Sequence, residues 1–520
     1  MNFLNGVRRS LFVFLLFFSV AVNAVNSPDY LGYSKDATVK VFINWDSFED
    51  NGISASWKRP FQDIVINSYT RWMHVAGFRL TPKFWGYTDR TSPSANEIII
   101  MMNEMHAGPC ASASGCDDRL ASRFGQPATI VFHRKSRVTG AAWNFVPYRP
   151  NNSSELDMMS ILMHEMGHAF GLQHNTDGAD RSVMGFYNFA GRYGPFRDDI
   201  ADIRAQYGVK TNRRFSIKRS TNSAASWSNW STNLTGLAVT TSMDPTATRD
   251  PDRTILYYTH QNKKPAFIHG NNSGSSFDAA KWWIYGGERS VYGTAGHGYG
   301  NEYMMAWVDD FDNNRIKVVF SSNGGVNYSW RNPASDARTY GTPAIHKVSN
   351  NKWILAYSLY DRADMARNGK IVARVSSNDG VTWGPEIVLS NFYRAVSGVS
   401  IASNNENEVR IGFAWDFRTT GANLLKRTIR AHLSGDNLIY DGMIYESEAT
   451  RTQPVFTKNS QRFLQAWREP NFLTSINTRF SGEGSTQWTN YVRAVESTPV
   501  TPSIAAYKGW SYSFLYSLGD

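Results

Sequence analysis

"ILMHEMGHAFGLQHN", residues 161–175, decides how the first part of the chain is read. His164 and His168 stand four apart, so on one α-helix both rings project from the same side of a turn, close enough to share an ion. Zinc is the expected ion, because imidazole suits it and a catalytic zinc keeps three protein ligands and a fourth place for water. Glu165, beside the first ligand, is expected to take a proton from that water rather than to bind metal. Gly171 allows the left-handed turn by which the chain leaves the helix, and His174 then swings back as the third ligand. A bare His-Glu-x-x-His arises by accident in many proteins, and a lone histidine on an apolar face is usually a core residue. Gly171 and His174 at their fixed spacings argue against both readings.

Working outward, Ser153, Ser154 and Asp157 make a helix start, and Met158, Ile161, Leu162, Met166, Ala169 and Phe170 supply the buried face. Upstream, "TVKVFINW" (38–45), "NEIIIMMN" (96–103) and "ATIVFHR" (128–134) read as strands, and "FQDIVINSYTRWMHVAG" (61–77) reads as a helix. Downstream, "FRDDIADIRAQYG" (196–208) sets Ile200, Ile203 and Tyr207 on one side and stops at Gly208. These segments predict an α+β domain over 36–212.

His164, Glu165, His168, Gly171 and His174 reproduce the long zinc signature HExxHxxGxxH, and "RSVMG" (181–185) adds Met184 at the distance of a Met-turn. The domain therefore resembles the metzincin metallopeptidases. Among them it is most similar to the matrixins, whose last helix also opens on paired aspartates and closes on Tyr-Gly, here Asp198, Asp199 and Tyr207-Gly208. The resemblance spans about 36–210 and implies a zinc endopeptidase acting on proteins or peptides, with His164, His168 and His174 as metal ligands, Glu165 as general base and Met184 as the Met-turn. It also implies that "MGFYNFAGRYGP" (184–195) forms the wall of a substrate pocket, although a packed surface loop reads the same way. Asn175 departs from the Ser, Glu, Asp or Pro that usually follows the third histidine. Phe186 stands where some metzincins place an oxyanion-assisting Tyr, with Tyr187 one residue later. Nothing between Ala24 and Lys35 resembles a cysteine-bearing pro-segment.

Past residue 212 the texture changes to short strands joined by Gly, Asn and Ser turns. Six windows, "STNSAASW" (220–227), "GNNSGSSF" (270–277), "SSNGGVNY" (321–328), "SSNDGVTW" (376–383), "LSGDNLIY" (433–440) and "SGEGSTQW" (481–488), end in aromatics spaced 50, 51, 55, 57 and 48 apart, a repeat of blade size. A second landmark runs in step, a strand ending at Tyr258, Trp307, Tyr357, Trp415, Trp467 and Tyr516. The windows, "SSNDGVTW" above all, resemble the Asp-box turns of sialidase-type propellers, whose polar residues bond their own backbone while the aromatic plugs between strands. The fold expectation is thus multidomain: an α+β metzincin catalytic domain followed by an all-β six-bladed β-propeller over 213–520, whose last strands close the ring beside residues 214–230. The Phe/Tyr-Arg-Ile-Pro motif of sialidases is absent, so the propeller is expected to bind a glycan or protein surface, or to act as a spacer, rather than to catalyse.

The remaining expectations concern location and partners. Arg8 and Arg9, an apolar run from Leu11 to Val22 and small residues up to Ala24 read as a signal peptide over 1–24, cleaved near Ala24, which places the mature chain outside the cell. No later stretch is apolar enough to span a bilayer. Cys110 and Cys116 either close a small disulfide loop or stay as two free thiols. The net charge of +10 is spread along the chain without a Lys/Arg block, so no nucleic acid is expected as partner. Calcium is a further candidate cofactor to which no residue is assigned. Two functions of different class follow: a secreted zinc endopeptidase with an accessory propeller, or an adhesin or glycan-binding propeller with an auxiliary zinc domain.

Overall fold

The computed structural model describes residues 33–518 apart from internal stretches, chiefly 73–77, 104–120, 134–141, 146–154, 176–181, 186–194, 209–214, 230–244, 360–369 and 417–423, with shorter ones elsewhere. The expected signal peptide, Cys110 and Cys116, the helix start at Ser153 and Ser154, and Phe186 and Tyr187 all lie outside the described residues.

In the first domain, β1 (Thr38–Ile43) alternates buried Val39, Val41 and Ile43 with the less buried Lys40 and Phe42, so one face meets the core. It sits second in a five-stranded sheet with β2 (Thr81–Tyr87), β3 (Glu97–Asn103), β4 (Ala121–Phe124) and β5 (Ala128–His133), in the order β2-β1-β3-β5-β4. All pairings are parallel except β4 with β5. The strand β2 was not anticipated from the sequence: Pro82 and Gly86 break its pattern, and an edge strand is where a ladder tolerates proline. After the short helix α1 (Asp46–Asp50), α2 (Lys58–Arg71) buries Phe61, Ile64, Val65 and Ser68 at helical spacing, continued by Trp72. A two-stranded parallel pair, β6 (Ala142–Asn144) with β7 (Glu155–Asp157), leads into α3 (Met158–Ala169). This helix is apolar on nearly every side, and α4 (Arg197–Tyr207) ends the domain with Gly208 at φ 74°. The buried apolar cluster of this domain also takes in Tyr292, Val308 and Ala414 of the second.

The second part is all β. Four sheets have four strands, and one has seven. The innermost strands Thr246–Arg249, Ala295–Tyr299, Ala344–Ser349, Ile387–Asn404, Val455–Lys458 and Ser503–Ala506 are neighbours in cyclic order, the last lying beside the first. That ring of radially stacked sheets is a β-propeller. It is closed by its ends: Ser513–Leu518 pairs antiparallel with Phe215–Ser220, Leu518 opposite Phe215 and Ser513 opposite Ser220. Five separate sheets stand where six were expected. The difference lies in the 18-residue strand Ile387–Asn404, which pairs with Lys370–Ser376 through its first part and with Glu408–Asp416 through its second.

The turn windows are not all alike. In "SSNGGVNY" Ser321 Oγ accepts from the N–H groups of Asn323 (3.3 Å) and Gly325 (2.9 Å), and Asn323 Oδ1 from that of Asn327 (2.9 Å). "SSNDGVTW" repeats this through Ser376, Asn378, Gly380 and Thr382, with Gly380 at φ 76°. The aromatics then reach the neighbouring sheet, Trp383 donating to the Arg331 carbonyl and Trp227 to Thr478 Oγ1, both at 2.8 Å. "LSGDNLIY" departs from the expectation: it is the tip of a long hairpin, and its Tyr440 is 49% exposed rather than inserted between strands.

Candidate metal centre

α3 delivers His164 and His168 to one side, and the turn that ends it delivers His174. Gly171, at φ 96°, forms that turn: its N–H reaches the His168 carbonyl at 2.8 Å while the Leu172 N–H reaches the Gly167 carbonyl at 3.0 Å. This pair of bonds is the Schellman stop, which requires a left-handed residue where Gly171 stands. A Cβ at Gly171 would also meet the Gln206 side chain at 2.5 Å.

The three Nε2 atoms of His164, His168 and His174 lie 3.1 Å from one another. His164 Nδ1 faces the Val183 carbonyl at 2.8 Å, and His168 Nδ1 faces the Leu172 carbonyl at 2.7 Å. A carbonyl only accepts, so both rings carry their proton on Nδ1 and turn an Nε2 lone pair inward. Lone pairs aimed at one point repel unless a cation sits there. Three ligands of a tetrahedral zinc, each about 2.0–2.1 Å from it, stand roughly 3.3 Å apart, so this donor set fits the ion. His164 is buried, His168 half-buried and His174 exposed, which leaves one side of the centre open. Glu165 is buried next to His164 and is not among the converging donors.

The floor is built from distant segments. Met184 is buried, its N–H bonded to Ser182 Oγ at 2.9 Å and its carbonyl accepting from the Asn175 N–H at 2.8 Å. Asp199, at the start of α4 and 1% exposed, accepts from Ser182 Oγ and from the Val183 N–H at 2.7 Å. It thereby fixes the segment whose carbonyl orients His164. Tyr207 Oη donates to the Phe170 carbonyl at 2.6 Å, and Trp72 Nε1 donates to the Met163 carbonyl at 3.0 Å, so two further elements hold α3. Between the two helical histidines, a Cβ on Gly167 would lie 2.3 Å from Met184 Sδ and 2.8 Å from the Trp72 ring. The roles of Gly167, Trp72 and Asp199 escaped the sequence reading. A glycine inside a helix costs ~1 kcal/mol and was the one available sign of such close packing.

Residues 58–208 match the matrixin family. The matrixin-like domain thus includes all three histidines, Glu165 and Met184 within the matched span, and the match and the histidine triad together indicate a zinc metallopeptidase. No curated protein matches the chain. Among solved structures, an α-L-arabinanase of Penicillium chrysogenum is similar at 12% identity and TM-score 0.39, covering 54% of this chain and 93% of that one. The BP39L lectin of Burkholderia pseudomallei is similar at 9% identity and TM-score 0.39, covering 56% and 89%. The NanB sialidase of Streptococcus pneumoniae is similar at 14% identity and TM-score 0.29, covering 44% and 35%.

The propeller has a cavity of about 360 Å³ on its axis, bounded by all six innermost strands. His297 and His346 meet there with ring centroids 4.1 Å apart. Burial pushes His346 down to about 4, and burial followed by the charges of His346 and Lys347 pushes His297 well down, so both rings are neutral near pH 7. Thr248 Oγ1 and His297 Nδ1, both in the lining, have no hydrogen-bond partner among the described residues. Nothing in the periodicity of the strands marked these positions.

Proposed function

We propose that the protein is a secreted zinc-dependent endopeptidase whose propeller is an accessory binding domain. The convergence of three histidine Nε2 atoms at 3.1 Å beside a buried glutamate carries the reading. Zinc held by His164, His168 and His174 supplies Lewis acidity, polarising a peptide carbonyl and lowering the pKa of water by several units. Glu165 acts as general base: its carboxylate takes the proton of the attacking water and returns it to the leaving nitrogen. The Nδ1 bonds to Val183 and Leu172 hold two of the rings in the tautomer this needs. The antiparallel edge strand β4 lies against α3, so an extended substrate adding to that edge would run alongside the histidines.

In the propeller, Ile387–Asn404 serves two blades, which gives six. In support, Ile354 and Phe413, from strands on either side of Ile387–Asn404, share one buried cluster, and Lys370–Ser376 lies against Asn437–Thr450, so the sheet folds back on itself around this strand. The turns at 321–328 and 376–383 are Asp-boxes in this reading. The axial cavity, with its two neutral imidazoles and unpartnered Thr248 hydroxyl, supports a ligand-binding role. The adhesin reading, in which the zinc domain is auxiliary, draws on the same cavity.

Metal analysis of the full chain and cleavage of an unbiased peptide library decide between them. One zinc per chain, with chelator-sensitive cleavage inside peptides, supports the endopeptidase. Stoichiometric zinc without any cleavage would favour the adhesin.

A further inference from the structure

We propose that the outer face of the sheet over β1 and β2 is a docking surface for an anionic polysaccharide. Lys40 and Lys83 are direct partners in the β1–β2 ladder, and like charges placed opposite each other destabilise a sheet. The register then breaks, Val41 opposite Phe84 and Phe42 opposite Gly86, so Trp85 is the extra residue of a bulge, followed by Gly86 at φ 143°. Bulges re-aim side chains at working surfaces. Here the bulge leaves the Trp85 ring 51% exposed, with Lys40 Nζ over it at 5.0 Å and Lys83 Nζ at 5.6 Å. A large exposed indole and a repelling lysine pair both work against solubility or stability unless something covers them.

The charges select the partner. Glu97 is paired with Arg90, at the Phe42 ring, at 2.9 Å; Lys40, opposite Glu97 in the β1–β3 ladder, acts on that carboxylate only at longer range, and neither Lys40 nor Lys83 forms a close ion pair among the described residues. Two ammonium groups on an aromatic ledge suit a linear sugar polymer that offers apolar ring faces and regularly spaced sulfate or carboxylate groups. Nucleic acid suits it less well, since the net charge of +10 is spread along the chain with no Lys/Arg block to follow a phosphate backbone. Lys40 and Lys83 lie on the face opposite the core, and β2 is at the far edge of the sheet from β4, which packs on α3. The surface is therefore distinct from the metal centre.

The test titrates the full chain with dextran sulfate, polygalacturonate, neutral dextran and single-stranded DNA at fixed ionic strength. Saturable binding to the sulfated or the uronate polymer and none to neutral dextran is expected, the preferred polymer identifying the anionic group. Lys40→Gln and Lys83→Gln should each weaken it about three- to fivefold, as exposed ion pairs do, and Trp85→Ala by a similar factor. Zinc content should be unchanged in all three variants, and the melting temperature of the two lysine variants should hold or rise as the repulsion between Lys40 and Lys83 is relieved. Binding indifferent to these substitutions, equal binding of neutral dextran, or tighter binding of the DNA would overturn the proposal.

Discussion

His168 Nδ1 lies 2.7 Å from the carbonyl oxygen of Leu172, so the turn that ends α3 also fixes the ring of the second histidine. The turn in turn depends on Gly171, at φ 96°. Gly171→Ala strains a left-handed backbone and drives a methyl into Gln206, displacing the Leu172 carbonyl. We expect a loss of ~1–2 kcal/mol of stability and roughly tenfold weaker zinc binding, read by thermal melting and competition with a chromophoric chelator. Unchanged zinc affinity would show that the carbonyl does not set the ring.

Asp199 tests the floor of the site. Asp199→Ala removes the acceptor for the Val183 N–H and Ser182 hydroxyl while leaving every histidine in place. The Val183 N–H and the Ser182 hydroxyl then lose this buried charged acceptor, so the melting temperature should fall with ~2–4 kcal/mol of lost stability. The Val183 carbonyl that orients His164 loses its anchor, so zinc affinity should fall as well. A variant less stable but equal in zinc affinity would separate the two roles.

The contrast between these residues shows what the chain makes legible. His164, His168, Gly171 and His174 lie within one turn-and-a-half of helix and its stop, so local spacing alone brings them together. Gly167 against Met184, or Trp72 on the Met163 carbonyl, depends on how distant segments pack, and no periodicity encodes that. In the propeller, aromatic spacing located the repeat. It could not tell the serine-bridged turns at Ser321 and Ser376 from the hairpin tip ending at Tyr440, because both present polar residues before an aromatic. One strand crossing between two halves of a sheet is likewise invisible to a count of landmarks.

Ring closure makes the C-terminus structural. Deleting residues from 499 onward removes Ser503–Ala506 and Ser513–Leu518, and with them both the inner strand between Val455–Lys458 and Thr246–Arg249 and the partner of Phe215–Ser220. The exposed edges should cause aggregation or a broad, non-cooperative melt in calorimetry. A deletion that melts like the full chain would mean that the ring does not need its clasp.

Lys426 gives the propeller a pH dependence. It is fully buried against the Trp467 ring, with Glu446 and Glu448 each at 3.6 Å and Arg479 beside them, and burial pulls it down to about 7. Between about 7 and the ordinary 10.5 the unfolded chain binds this proton and the folded one does not. The contribution to stability therefore rises with pH across that window, by up to ~1.4 kcal/mol per unit, and is lost as pH falls through 7. Calorimetry from pH 6.5 to 8.5 should show this rise in the wild type. Lys426→Met should flatten it.

Glu165→Ala tests the central claim most directly, because the proposed base can be removed without touching a donor. The full-length variant should hold one zinc per chain, as the wild type should, while cleavage of a peptide substrate falls by at least ~100-fold. His168→Ala should instead lose the metal. A Glu165→Ala protein that keeps its zinc and cleaves at near wild-type rate would contradict the assignment of Glu165 and the mechanism built on it.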